Sequence, residues 1–261
     1  MIRLIASDLD GTLLQKGTQS LNSDVISFIE RLFTKHGIVF VAASGRQYPN
    51  LKRLFGSASK YMAFICENGA LTFYQDKLLL GQTMDRKTAL SISHDILSLP
   101  NCEVLMSGQQ TSYIVPKTES YYHYIANHVK NNTVVIAKPE DQPEDIYKVS
   151  VYEKSGVATG HGPELMAKYQ DKTSGSISGF AWLDFVAPNV NKGTALTALM
   201  NHLSLDASEC VAFGDNYNDL EMLSIVKYGY VMNTAVPEIK AQFSYFCDNV
   251  IETIQHLLQI K

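Results

Sequence analysis

The chain has 261 residues, of which 46% are hydrophobic and 18% charged, with a formal net charge of −4 at pH 7. Such a chain can bury a sizeable core, as one large domain or two smaller ones. Net acidity and the lack of a basic run interleaved with aromatic residues argue against a nucleic-acid partner. No stretch reaches the length of a membrane span, and no signal-peptide pattern opens the sequence, which favours a cytoplasmic location.

The first predicted strand, residues 2–7, leads into two carboxylates, Asp8 and Asp10. A buried strand that ends in polar residues is typical of the ligand-binding edge of an α/β sheet. Two acids so close raise each other's pKa unless a cation joins them, so the pair implies a shared proton or a hard metal such as Mg2+. Gly11 permits a turn, and Thr12 offers a hydroxyl and an N–H group to an anion. The alternative is a surface turn, because Asp-Gly is common in hairpins.

A second predicted strand, residues 38–43, ends in Ser44, Gly45 and Arg46 before a helix over 48–55. The Ser44 hydroxyl and the N–H groups of Gly45 and Arg46 would form a phosphate-binding corner, because helix N-termini favour anions. An ordinary helix N-cap explains the serine equally well.

The other elements of the two ends of the chain alternate between strands and helices. Asn22 and Gly37 are predicted to bound the first helix. Further strands are predicted over 62–66, 71–74, 77–80, 209–213 and 228–232, and further helices from Asn191, over 220–226, from Pro237 and over 250–258.

Between about residues 83 and 188 this rhythm changes to that of a separate α+β insert. Helices are predicted over 87–97, 120–130 and 163–168, and strands over 103–106, 112–115, 147–152 and near 176–186. We therefore predict an α/β protein with a doubly wound, mostly parallel, Rossmann-like core sheet from residues 1–82 and 189–261, and an inserted α+β domain from residues 83–188.

Four residue groups together resemble the haloacid dehalogenase superfamily in order and spacing. They are Asp8-Leu9-Asp10-Gly11-Thr12, Ser44-Gly45-Arg46, Lys192, and the run from Gly214 through Asp215, Asn218 and Asp219. The turn at 67–70, the Asn191-Lys192-Gly193 triplet and the large insert resemble its Cof-type sugar-phosphatase branch, in which the insert is a cap that selects the substrate.

The resemblance implies a Mg2+-dependent phosphatase acting on small phosphomonoesters, with sugar phosphates as the expected class. Asp8 would be the nucleophile that forms an aspartyl-phosphate, and Asp10 the general acid and base. Mg2+ would be held by the Asp8 carboxylate, the Asp10 main-chain carbonyl and Asp215. Ser44 and Lys192 would bind the transferring phosphoryl group. Asn218 and Asp219 would support these residues from behind, and Asn218 is also a candidate to contact the phosphate.

Two other functions remain open at this point. A phosphomutase would return the phosphoryl group to a second hydroxyl, and a non-catalytic protein would only bind a phosphorylated metabolite. We expect a small phosphorylated metabolite as the partner, no nucleic acid or membrane, and a monomer.

The four cysteines, Cys66, Cys102, Cys210 and Cys247, are scattered without a C-x-x-C pair. This favours reduced core thiols and argues against redox or zinc chemistry. Among the seven histidines there is no H-x-x-x-H pair, and only His161, between two glycines, merits attention.

Overall fold

The computed structural model describes residues 1–14, 18 and 20–260. Contacts divide the chain into two compact units. The first comprises residues 1–45, 51–80 and 191–261, and the second comprises residues 46–50 and 81–190. The assignment of residues 1–82 and 189–261 to a core and of residues 83–188 to a substrate-selecting cap stays a prediction.

The first unit is built on an eight-stranded sheet in the order β14-β13-β12-β1-β2-β3-β4-β5. Its strands are β1 (Leu4–Asp8), β2 (Val39–Ala43), β3 (Ala63–Cys66), β4 (Leu71–Tyr74), β5 (Lys77–Gly81), β12 (Cys210–Gly214), β13 (Tyr228–Met232) and β14 (Tyr245–Cys247). The pairs from β14 through to β3 are parallel, and β4 pairs with β3 antiparallel. The strands β1, β2, β3 and β12 are buried along their whole length, as predicted for strands covered on both faces.

The helices of this unit follow local sequence signals. They are α1 (Ser23–His36), α2 (Tyr48–Phe55), α6 (Lys192–His202), α7 (Leu220–Ser224), α8 (Pro237–Lys240) and α9 (Val250–Leu258). The first turn of α2, residues 48–50, belongs to the second unit. Asn22 caps α1 by accepting a hydrogen bond from the N–H of Asp24, and Gly37 ends it in the left-handed conformation. Both predicted bounds of this helix are therefore confirmed.

The second unit contains a six-stranded sheet in the order β10-β11-β9-β6-β7-β8. Its strands are β6 (Cys102–Ser107), β7 (Ser112–Ile114), β8 (Thr133–Val135), β9 (Lys148–Glu153), β10 (Ser174–Ile177) and β11 (Trp182–Val186), and its helices are α3 (Arg86–Ser98), α4 (Glu119–His123) and α5 (Gly162–Tyr169). Apart from the parallel pair of β7 and β8, these strands pair antiparallel.

The predicted helix over 120–130 is helical, but it changes from an α-helix to a π-helix at Tyr124. Two strands of the described residues, β8 and β14, were not predicted. Each strand has only three residues, two of them exposed, which is shorter than the run of four or more residues that marks a strand in a sequence.

Within the described residues, no helix is both long and apolar enough to cross a membrane. The cytoplasmic location stays a prediction. The four cysteines are all buried, and none forms a disulfide in the described part of the chain.

Candidate active site

The candidate site lies where three parallel strands of the first unit end side by side. In the sheet register Asp8, the last residue of β1, is opposite Ala43 of β2, and Ser7 is opposite Phe213 of β12. Because parallel strands end at the same edge, Asp8 lies beside the segments that begin at Ser44 and at Asp215. The sheet thus joins residues that are more than two hundred positions apart in the chain.

The chain turns tightly after Asp8. The N–H of Leu14 donates to Leu9 O at 2.7 Å, and the N–H of Gly11 donates to Leu14 O at 2.9 Å. Leu9 is buried and Asp10 is exposed. Gly11 has φ +99°, and a Cβ atom here would overlap the carboxylate of Asp215, so the turn requires glycine.

Thr12 links the two acidic segments. Its hydroxyl donates to Asp215 Oδ1 at 3.2 Å, and its N–H donates to Leu9 O at 3.3 Å. The sequence analysis expected these two donors to bind an anion. In the structure both already have acceptors within the chain, so Thr12 orients Asp215.

Lys192 is the centre of the charge arrangement. Its ammonium donates to Asp8 Oδ1 at 2.6 Å and to Asp219 Oδ1 at 2.7 Å, and its side chain is fully buried. Lys192 is the first residue of α6, where Asn191 and Thr194 form a capping box that fixes the start of the helix. The capped helix therefore aims a buried cation at the acid that ends β1.

Asp219 has its acceptor positions filled by the chain itself. While Oδ1 accepts from Lys192, Oδ2 accepts the main-chain N–H groups of Asp215 and Asn216 at 3.0 and 3.1 Å. The second of these bonds belongs to a capping box in which Asn216 is the N-cap. Asp219 thus holds both Lys192 and the loop that carries Asp215.

Three carboxylates share this site. Carboxylate oxygens of Asp8, Asp215 and Asp219 lie within 4.8 Å of one another, and the ammonium of Lys192 is bonded to Asp8 and Asp219. Burial, and then the charges of Asp219 and Asp215, raise the pKa of Asp8 well above its usual value although Lys192 opposes the shift. For Lys192, burial lowers the pKa, but Asp219 and Asp8 outweigh it and raise the pKa overall. Three carboxylates this close together offer the hard oxygen atoms that a divalent cation such as Mg2+ prefers.

Asn68 is a residue of this site that the sequence analysis did not single out. Its Oδ1 accepts from Asn218 Nδ2 at 3.2 Å, its N–H donates to Ser44 O at 3.1 Å, and its amide faces Gly45. Glu67, Asn68 and Gly69 all have positive φ, at 51°, 54° and 107°. Three such residues in succession after a buried strand make a strained turn. The Glu-Asn-Gly sequence itself was the signal that could have marked this turn as part of the site.

This turn gives a testable prediction about stability. Gly69 combines positive φ with close approach, because a Cβ atom would overlap the main-chain oxygen of Asn191. Gly37 also has positive φ but has open space around it. We expect Gly37→Ala to lower the free energy of unfolding by about 1 kcal/mol and Gly69→Ala by about 3 kcal/mol or more, measured by urea denaturation. Equal losses in the two variants would contradict the close contact.

The structure places the predicted site residues as follows. Asp8, Thr12, Lys192, Asp215 and Asp219 form one bonded group, while Ser44, Gly45 and Asn218 surround Asn68. Asp10 is exposed beyond β1, and Arg46 falls in the second unit. The chemical roles assigned to all of these residues stay predictions.

Comparison with known proteins identifies the family. A model of the haloacid dehalogenase-like hydrolases matches residues 5–253. The chain is 28% identical to the Escherichia coli 5-amino-6-(5-phospho-D-ribitylamino)uracil phosphatase YbjI, covering 94% of this chain and 90% of that protein. It is 27% identical to the HMP-PP phosphatase of Serratia proteamaculans, covering 92% and 87%. It also resembles the crystal structure of SMU.1108c from Streptococcus mutans, with a TM-score of 0.88, 25% identity and coverage of 99% and 100%. The chain belongs to the haloacid dehalogenase-like hydrolase family.

Proposed function

We propose that this chain is a Mg2+-dependent phosphatase that hydrolyses small phosphomonoesters, sugar phosphates being the first class to test, through an aspartyl-phosphate on Asp8. The observation that carries the proposal is the buried Lys192, bonded to Asp8 and Asp219 beside Asp215. Phosphoryl transfer needs a nucleophile placed among charges that stabilise the phosphoryl oxygens, and this arrangement supplies both. The phosphatase names of the two relatives support the same reaction class.

In this mechanism Asp8 attacks the phosphorus atom. Lys192 donates to Oδ1, which leaves Oδ2 as the attacking oxygen. The bond from Oδ2 to phosphorus forms as the bond from phosphorus to the ester oxygen breaks, and Asp10 gives its proton to that departing oxygen. Asp10 then takes a proton from the water that attacks the phosphorus of the aspartyl-phosphate, which releases phosphate and restores the Asp8 carboxylate.

The exposed position of Asp10 suits this exchange of protons with substrate and water. Asp8, in contrast, must lose its proton before it reacts, because only its ionised form is a nucleophile. Burial raises the pKa of Asp8 and so favours its protonated form, and the neighbouring ammonium of Lys192 opposes that shift.

The residues that would hold Mg2+ are Asp8, Asp215 and the main-chain carbonyl of Asp10. Asp219 is less suited, because it accepts three hydrogen bonds, one from Lys192 and two from main-chain N–H groups. Asp8 Oδ1 has a second lone pair for the metal besides the one that accepts from Lys192. When bound, the cation would offset charge on the phosphoryl oxygens. Thr12 fixes the orientation of Asp215 toward that task.

Phosphate release from a panel of esters tests the proposal. The panel contains sugar phosphates, nucleoside monophosphates, cofactor monophosphates and the two compounds named for the relatives, each assayed with Mg2+ and with excess EDTA. We expect release that requires Mg2+ and is fastest for one chemical class. Transfer of the phosphoryl group between hydroxyls of one sugar without release of phosphate would indicate a phosphomutase instead.

Binding of Mg2+ is expected to stabilise the protein by mass action. At a free concentration about a hundred times the Kd, the melting temperature should rise by about 5 °C or more. Asp215→Asn should lose most of this rise, because it removes a ligand and its charge. Asp171→Asn, at an exposed position of the second unit, should keep the rise in full. An equal rise in both variants, measured by differential scanning calorimetry, would argue against Asp215 as a ligand.

A further inference from the structure

A second cluster of metal-ligating side chains lies within the second unit. Cys102 is the first residue of β6 and pairs with Glu153, the last residue of β9. His161 immediately precedes α5. Three separate segments thus bring one thiol, one carboxylate and one imidazole together at one end of this sheet, with ligand atoms within 4.8 Å of one another.

The distances between these atoms match those of a tetrahedral zinc site. His161 Nδ1 lies 3.5 Å from Cys102 Sγ and 3.1 Å from Glu153 Oε1. Tetrahedral angles and ordinary Zn–S, Zn–N and Zn–O bond lengths place sulfur and nitrogen about 3.5 Å apart, and nitrogen and oxygen about 3.3 Å apart. The same side chains can therefore take up a metal ion with only a small adjustment.

The backbone holds these ligands close together. A Cβ atom on Gly160 would overlap the carboxylate of Glu153, and one on Gly162 would overlap the main-chain oxygen of Val157. Gly160 therefore allows the loop of His161 to lie against β9, and Gly162 allows the start of α5 to lie against Val157. The N–H of His161 donates to Glu153 Oε2 at 2.9 Å, which fixes the carboxylate and leaves Oε1 directed at the imidazole.

The charges also suit a divalent ion. Cys102 and Glu153 are buried, and a thiolate with a carboxylate would balance the two positive charges of Zn2+, with the imidazole neutral. Burial, and then the charge of Glu153, raise the pKa of the Cys102 thiol to about 11, so the metal-free site holds a proton on sulfur. Lys117 opposes this shift, and its ammonium is bonded to the main-chain oxygens of Ile96 and Leu99.

We propose that Cys102, Glu153 and His161 form a Zn2+ site that fastens the start of α5 to the strands β6 and β9, with water as the fourth ligand. The His161 side chain is 29% exposed and provides the path of entry. On binding, a bond forms between the metal and Sγ, and the thiol proton leaves to solvent. This departs from the expectation of no zinc chemistry, which rested on the absence of a C-x-x-C pair.

Co2+ added to the EDTA-treated full-length protein tests the site. Thiolate ligation gives Co2+ a near-ultraviolet charge-transfer band that the all-oxygen group of Asp8, Asp215 and Asp219 cannot produce. We expect this band to saturate at one Co2+ per chain, to disappear when Zn2+ is added, and to appear with release of about one proton. A spectrum without the band would overturn the proposal and leave these residues as a hydrogen-bonded trio.

Three variants test which residues produce the Co2+ charge-transfer band. Cys102→Ser should abolish it, whereas Cys210→Ser should keep it, because Cys210 is equally buried, with its pKa also raised to about 11, but lies in the first unit. His161→Gln, at a partly exposed position, should weaken Co2+ binding at least about tenfold. If Cys102→Ser does not fold, the wild-type spectrum and the Co2+ affinity of His161→Gln still test whether the site exists. An unchanged Co2+ affinity in His161→Gln would count against the site. None of these readouts depends on phosphatase activity.

Discussion

Asp8→Asn is expected to reduce phosphate release from the best ester by a factor on the order of 10⁴ or more. Asparagine keeps the shape of the side chain and its acceptor toward Lys192, but it cannot form the covalent bond to phosphorus. The measurement is kcat with Mg2+ under saturating ester. A carboxylate that only bound the metal would also lower kcat, so trapped phosphoenzyme, present in wild type and missing in Asp8→Asn, is the deciding observation.

The melting temperature of Asp8→Asn shows whether this variant is folded. Because the native state raises the pKa of Asp8 above its unfolded value, the ionised carboxylate costs the native state free energy at neutral pH without a cation. Asp8→Asn removes that cost, so without Mg2+ its melting temperature should equal or exceed that of wild type. Asp171→Asn should change neither activity nor stability. Residual phosphoenzyme in Asp8→Asn would assign the nucleophile to another residue.

Lys192→Met is expected to lower the free energy of unfolding by about 3–5 kcal/mol, because it leaves Asp8 and Asp219 buried without their cation. Activity should also fall, by about 10²–10³-fold, since the ammonium opposes protonation of Asp8 and holds its carboxylate in place. Urea denaturation gives the first quantity and phosphate release the second. Methionine preserves the length and much of the volume of the lysine stem, so packing changes little.

A double variant separates charge from structure. Adding Asp219→Asn to Lys192→Met removes one of the two carboxylates left uncompensated, so the double variant should be more stable than Lys192→Met alone. Its activity should stay low, because Asp8 still lacks the ammonium. Recovery of activity together with stability would mean that Lys192 acts only as a structural cation. Lys35→Met, at an exposed position of α1, is the control for loss of a lysine charge.

Local signals predicted much of the fold. Asn22 and Gly37 bound α1 as expected, and the predicted spans of α2, β13 and α9 match the structure residue for residue. The two longer helices among them, α1 and α9, begin at the caps Asn22 and Asn249, which act on residues close in the chain. The strands β8 and β14 have no such signal, and pairing with β7 and β13 is what makes them strands.

Sequence by itself determined the residue types of the site and their places at strand ends, because a buried strand that stops at Asp8 or Gly214 can only lead into a loop. Tertiary structure decided the rest. In the sequence, nothing distinguishes Lys192 from an exposed lysine of a helix. Only the packing of α6 buries its side chain between Asp8 and Asp219. The same holds for Cys102 and His161, which are brought together by the pairing of β6 with β9 and by the loop from β9 to α5. Contacts between distant residues depend on which surfaces pack together to bury apolar area, and no local pattern encodes that choice.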